Sequence, residues 1–246
     1  MTSQQPPLWR RAVAELLGTS LLVMIVVGSG IAAQQLSPND VGLQLLQNST
    51  ATVLGLTVLI LVFGPVGGAH FNPVVSLVDF VLGRRNSSGL TLPELGTYIA
   101  AQTVGAISGS VVANAMFDVG TSISVKDRAT SGHLLGEVVA TAGLVLLIFA
   151  LAATNRGVLA APAVGAYIGA AYWFTSSTSF ANPAVTVGRI FSDTFAGIAP
   201  ASVPGFVAAQ LIGAAAGVGL LLALFPSAAK IADEVVLAHS SAPANS

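Results

Sequence analysis

Two asparagines stand in matching places, in Gly68-Ala69-His70-Phe71-Asn72-Pro73-Val74 and in Ser179-Phe180-Ala181-Asn182-Pro183-Ala184-Val185. An Asn just before a helix accepts an N–H of the first turn through its side-chain oxygen. Pro suits the first helical position, where its missing N–H costs nothing. What remains is a pair of amide groups held at helix starts, able to hydrogen-bond an uncharged molecule but not to attack one. Glu15 and Glu137 are the acidic residues inside long apolar runs, and Gln102 and Gln210 are matched in the same way. A carboxylate in such a place either relays protons or accepts backbone N–H groups; unpaired, it costs about 3 kcal/mol. The symmetric placement of the two favours bracing. Covalent chemistry has no foothold: there are no cysteines, no Gly-x-Ser-x-Gly elbow, no phosphate-cradling glycine loop and no His-Glu-x-x-His. His70, His133 and His239 lack metal-ligand spacing, so neither metal nor cofactor is expected. His70, beside the first motif, is either a pH-sensitive gate or a hydrogen-bonded loop histidine.

The elements that must position these groups are membrane helices. Of the 246 residues, 54% are hydrophobic and 8% charged, where a soluble domain carries about 25% charged residues. A net charge of -1 gives no reason to expect nucleic acid as a partner. Six runs of about 20 apolar residues, near 11–34, 45–66, 95–117, 133–153, 158–176 and 204–225, are long enough to cross a bilayer. The first is too long for a signal-peptide core and contains Glu15, which makes it a span rather than a leader. A tail of residues 1–10, a channel-like region over 11–225 and a second tail over 226–246 complete the predicted organisation.

The apolar stretches that open at Pro73 and Pro183, about ten residues each, are too short to cross. The flanking sequences repeat as well. Ala14-Glu15-Leu16-Leu17-Gly18-Thr19 is echoed by Gly136-Glu137-Val138-Val139-Ala140-Thr141, and Ala100-Ala101-Gln102 by Ala208-Ala209-Gln210. Three helices per half, over about 11–117 and 133–225, force the second half to enter from the opposite face. The predicted fold is all-α: six transmembrane helices and two re-entrant half-helices in an inverted repeat, with its site at the midplane. Two helix N-termini meeting there oppose cations while Asn72 and Asn182 bind neutral solutes. Gly105-x-x-x-Gly109 and Gly213-x-x-x-Gly217 permit close helix crossing and are assigned to the contact between halves. Basic residues set the orientation: with the N-terminus inside, six (Arg10, Arg11, Arg84, Arg85, Arg156, Lys230) face the cytoplasm and three (Lys126, Arg128, Arg189) do not. Both termini are therefore expected in the cytoplasm of a cell with this protein in its inner (plasma) membrane.

The paired Asn-Pro motifs, the Ala-Glu-x-x-Gly-Thr opening, and Tyr98-x-x-Ala-Gln102 resemble the major intrinsic protein (aquaporin) family over about residues 11–225. The resemblance implies a passive pore for water and small neutral solutes, assembled in lipid as a homotetramer with one pore per subunit. Val74 stands where the family usually has Ala, a modest change of pore wall. The family usually carries Arg three residues after the second Asn; here that residue is Val185. Gapless counting carries the other filter positions to Thr52, Ala170 and Ser179, so the constriction is expected to be small-sided, uncharged and wide. Such a filter resembles that of bacterial members linked with arsenic detoxification and implies metalloid hydroxides (arsenite), glycerol or urea as cargo. Arg189, one turn beyond Val185, either hangs its charge in the outer vestibule or snorkels to the interface. A proton-coupled transporter using Glu15 or Glu137 is the alternative reading.

Overall fold

The computed structural model describes residues 5–84 and 89–226. Its helices, in chain order, are α1 (Leu8–Leu36), α2 (Val41–Gly67), α3 (Pro73–Gly83), α4 (Leu92–Met116), α5 (Ser131–Ala153), α6 (Ala160–Phe174), α7 (Pro183–Gly188) and α8 (Val203–Leu224). No strand occurs among the described residues. Local signals set the ends. Asp40 accepts Leu43 N–H to start α2, and Gly68, with φ of 82°, turns the chain out of it. Thr91 and Glu94 form a capping box at α4, and Thr130 accepts His133 N–H at α5. Arg85 and Lys230, two of the predicted cytoplasmic cations, lie outside the described residues.

Six of these helical segments are long and apolar enough to span a bilayer; α3 and α7 are not. At 1.5 Å per residue the 11 residues of α3 cover about 16 Å and the six of α7 about 9 Å. A 3₁₀ turn over Arg189–Phe191 extends α7 by three residues, about 6 Å more. Set end to end, the two pieces make roughly the 30 Å of one hydrocarbon core.

Each of the six long helices leaves bulky apolar residues exposed on its outer face. On α2, Leu54, Val58, Leu61 and Val62 are exposed on one face, whereas Thr52, Leu56, Leu59 and Ile60 are buried on the other. An outward apolar face is what a lipid environment requires. Within each half α1 lies along α4 and α5 lies along α8; across the halves α2 meets α6 and α4 meets α7. The small-residue motifs therefore sit elsewhere than expected. A Cβ at Gly105 or Gly109 overlaps the carbonyl oxygens of Leu16 and Ser20 on α1, and Gly213 and Gly217 press in the same way on Val138 and Ala142 of α5. These glycines close each half upon itself rather than joining the two, because the long diagonal contact in an inverted repeat is between first and third helices.

Candidate functional site

The two Asn-Pro turns meet. Asn72 caps α3 by accepting Val74 N–H at 3.0 Å, and Asn182 caps α7 by accepting Ala184 and Val185 N–H at 3.0 and 3.2 Å. Each Nδ2 then crosses to the other half: Asn72 donates to the Ala181 carbonyl at 2.7 Å, and Asn182 to the Phe71 carbonyl at 2.8 Å. An amide carries two N–H donors, so each Asn keeps one for the cavity that both residues line. Pro73 and Pro183 occupy the first helical positions. Val74 and Ala184 are buried in the hydrophobic core and do not line the cavity. Val74 thus changes the packing behind the wall and not, as expected, the wall itself.

Backbone around both turns is unusual. Ala69, Phe71, Thr178, Ser179 and Ala181 all have φ between 47° and 63°, the left-handed region that side chains normally avoid. Two buried carboxylates hold these loops. Glu15 accepts the N–H of His70 at 2.9 Å, of Phe71 at 2.7 Å and the Gln102 amide at 2.7 Å. Glu137 does the same for Phe180 at 2.9 Å, Ala181 at 2.8 Å and Gln210 at 2.6 Å. Gln102 also reaches Ser76, and Gln210 reaches Thr186, which ties each brace to its half-helix. Neither carboxylate lines the cavity, so neither offers a carrier a site that solute or water can reach. His70 does line it, with Nδ1 3.1 Å from Ser76 Oγ and its ring edge-on to Tyr98.

The cavity encloses about 70 Å³, room for roughly five waters at 10–15 Å³ each. Its lining includes the apolar Leu22, Leu56, Ile60, Leu144 and Ile148 together with loop residues 69–71 and 179–181. Thr52, Ser179 and Val185 line it as well, but Ala170 does not: it is exposed on the outer face of α6. The residues that α6 turns inward are Ala160, Val164, Ile168 and Tyr172, spaced four apart. At 100° per residue, position 170 lies about 200° from its neighbours at 168 and 172. The gapless count missed Tyr172; the apolar stripe at 164, 168 and 172 was the available signal. Tyr172 hydroxyl lies 3.1 Å from Thr52 Oγ1, closing the ring between α2 and α6.

Arg189 also lines the cavity and is only 2% exposed, so it neither snorkels nor hangs free. Its Nε donates to the Ala196 carbonyl, and its guanidinium carbon lies 3.5 Å from the Phe180 ring centre. Arg128, on the loop before α5, lies 5.3 Å from the same ring centre and donates to the Gly197 and Phe195 carbonyls at 2.7 and 2.9 Å. Desolvation lowers the Arg128 pKa to about 10, which leaves it charged at neutral pH. The cavity is thus neither uncharged nor lined by small side chains alone, since Tyr172 and Arg189 line it beside Thr52, Ser179 and Val185.

The model of the family described as "Major intrinsic protein" matches residues 2–179. The chain belongs to that family. As a major intrinsic protein it is a multi-pass membrane channel and not an enzyme. It is 49% identical over 220 residues to aquaglyceroporin AqpS of Rhizobium meliloti, a match covering 89% of this chain and 91% of that one. It is 32% identical over 188 residues to the probable aquaporin NIP7-1 of Arabidopsis thaliana, covering 73% and 65% respectively. Its fold is that of the crystallised aquaglyceroporin from Plasmodium falciparum, with a TM-score of 0.63 at 18% identity over 90% of this chain and 99% of the other.

Proposed function

We propose that this major intrinsic protein is a passive channel for water and small neutral solutes, with glycerol, urea and neutral metalloid hydroxides such as arsenite as cargo. One observation carries the reading: Asn72 and Asn182 donate across the pseudo-twofold to each other's loops at 2.7 and 2.8 Å, each with a spare N–H beside one shared cavity. A solute shedding its water shell there meets donors on the Asn amides and Tyr172 among apolar side chains such as Leu22, Leu56 and Ile148. That mixed lining suits small molecules carrying hydroxyl groups on an apolar frame. Similarity to a relative named aquaglyceroporin supports glycerol-sized cargo.

In this reading Asn72 and Asn182 bind solute, Thr52, Tyr172, Ser179 and Val185 form the filter, and Glu15, Glu137, Gln102 and Gln210 brace the loops. The protein acts as a homotetramer in the bacterial inner membrane with both termini in the cytoplasm. Stopped-flow light scattering of reconstituted vesicles tests it against glycerol, urea and arsenous acid gradients. Expected is rapid equilibration that an uncoupler leaves unchanged. Accumulation against a gradient, abolished by the uncoupler, refutes the channel in favour of a coupled carrier.

A further inference from the structure

Resting on the channel reading, we propose that Arg189 is the filter's ion-excluding residue: a cation reaching the constriction from one helical turn beyond Val185 in place of one at Val185 itself. Val185 and Arg189 stand four residues apart at the end of α7 and both line the cavity. Burial without a partner acid is the unusual feature. Among the described residues the sole ion pair is Arg11 with Glu94, remote in sequence and on other helices. Glu137 is not within ion-pair distance of Arg189, and its oxygens accept instead from Phe180, Ala181 and Gln210. A buried charge without a counter-ion is normally selected against, yet Arg189 is held in place on two sides. The Ala196 carbonyl accepts from Nε and the Phe180 ring lies beneath the guanidinium, while Arg128, over that same ring, adds a second cation rather than a counter-charge.

The remaining guanidinium nitrogens donate to no protein atom among the described residues and are not sealed from the cavity. They present fixed donors and a permanent positive charge to whatever passes Thr52 and Tyr172. A neutral oxygen-bearing solute gains hydrogen bonds from them. A proton or metal cation meets repulsion at the narrow place where it has lost most of its water. Because the charge enters from the side of Phe180, the volume beside Val185 stays open for solutes wider than water. Exclusion of ions and passage of larger neutral molecules are thereby carried by different residues.

The test is proton and sodium flux into vesicles under an imposed membrane potential, with glycerol swelling recorded on the same preparations. Native channels are expected to be ion-tight. Arg189→Leu is expected to raise the leak about tenfold to hundredfold, the range for a unit charge near 5 Å at intermediate screening. Arg189→Lys, keeping the charge, is expected to leak less than Arg189→Leu. The double variant Val185→Arg with Arg189→Leu is expected to restore ion tightness while slowing glycerol. An ion-tight Arg189→Leu channel that still swells in glycerol overturns the proposal. So does a native channel whose proton leak scales with its water flux, a result that needs no variant to fold. Native vesicles that pass neither water nor glycerol refute the channel reading itself, which the ion data alone do not.

Discussion

Glu137 offers the sharpest separation of a brace from a proton carrier. Its two oxygens accept three donors, Phe180 N–H, Ala181 N–H and the Gln210 amide, all buried. Glu137→Gln keeps one oxygen, which continues to serve Ala181 and Gln210, but sets an NH2 against the Phe180 N–H. One orphaned buried donor costs about 1–3 kcal/mol. For a protein of this size that lowers the melting temperature by roughly 2–12 °C. Glu137→Leu strands all three donors, for about 3–9 kcal/mol, enough to consume much of a typical total of about 5–15 kcal/mol. It also frees Thr178, Ser179 and Ala181 to leave their left-handed conformations. Water permeability per channel should therefore fall in the same order as stability. The assay pairs thermal unfolding of the detergent-solubilised protein with stopped-flow shrinkage of vesicles at matched protein density. Unaltered melting and permeability in Glu137→Leu, together with a lost pH-driven solute gradient, refute the bracing account.

Val185→Arg adds a second guanidinium one turn from Arg189, so glycerol uptake is expected to fall about tenfold or more with water affected less; equal loss of both points to misfolding. Gly109→Leu drives a side chain into the Ser20 carbonyl and should abolish monodisperse protein, whereas Gly96→Ala, with nothing within 4 Å, adds about 0.5–1 kcal/mol of helix stability. Size-exclusion profiles and melting curves read both. Lys126, outside the spans, is pushed down to about 8 by desolvation first and then by Arg128 and Arg189. Between that value and its ordinary 10.5 the unfolded chain holds more protons than the folded one, so stability rises with pH across the window. Lys126→Gln should flatten that rise in a melting series; an unchanged slope assigns it to another group.

Much of the architecture was legible in the chain because lipid leaves few options. Backbone polar groups must be satisfied internally there, so apolar runs of about 20 residues become helices, and the spans end within a few residues of their expected limits. The two Asn-Pro caps were readable for a local reason, since the Asn side-chain oxygen accepts from N–H groups two and three residues on. The matched roles of Glu15 with Glu137 and of Gln102 with Gln210 followed from the repeat, which puts equivalent residues in equivalent surroundings.

What sequence spacing does not contain is how far a helix is rotated and where a long side chain ends. Ala170 and Tyr172 differ by two residues, yet one faces outward and the other closes on Thr52, because the rotation of α6 is set by α2 across the interface between halves. Arg189 shows the same limit. Its charge was visible in the chain, but its burial against Phe180 depends on the Ala196 carbonyl seven residues on and on a loop more than 60 residues earlier. The chain by itself determined the number of spans, the two half-helices and the residues that cap and brace them, all consequences of local hydrogen bonding and lipid solvation. Only the packed tertiary structure decided which side chains line the cavity, since that is settled by contacts between segments distant in sequence.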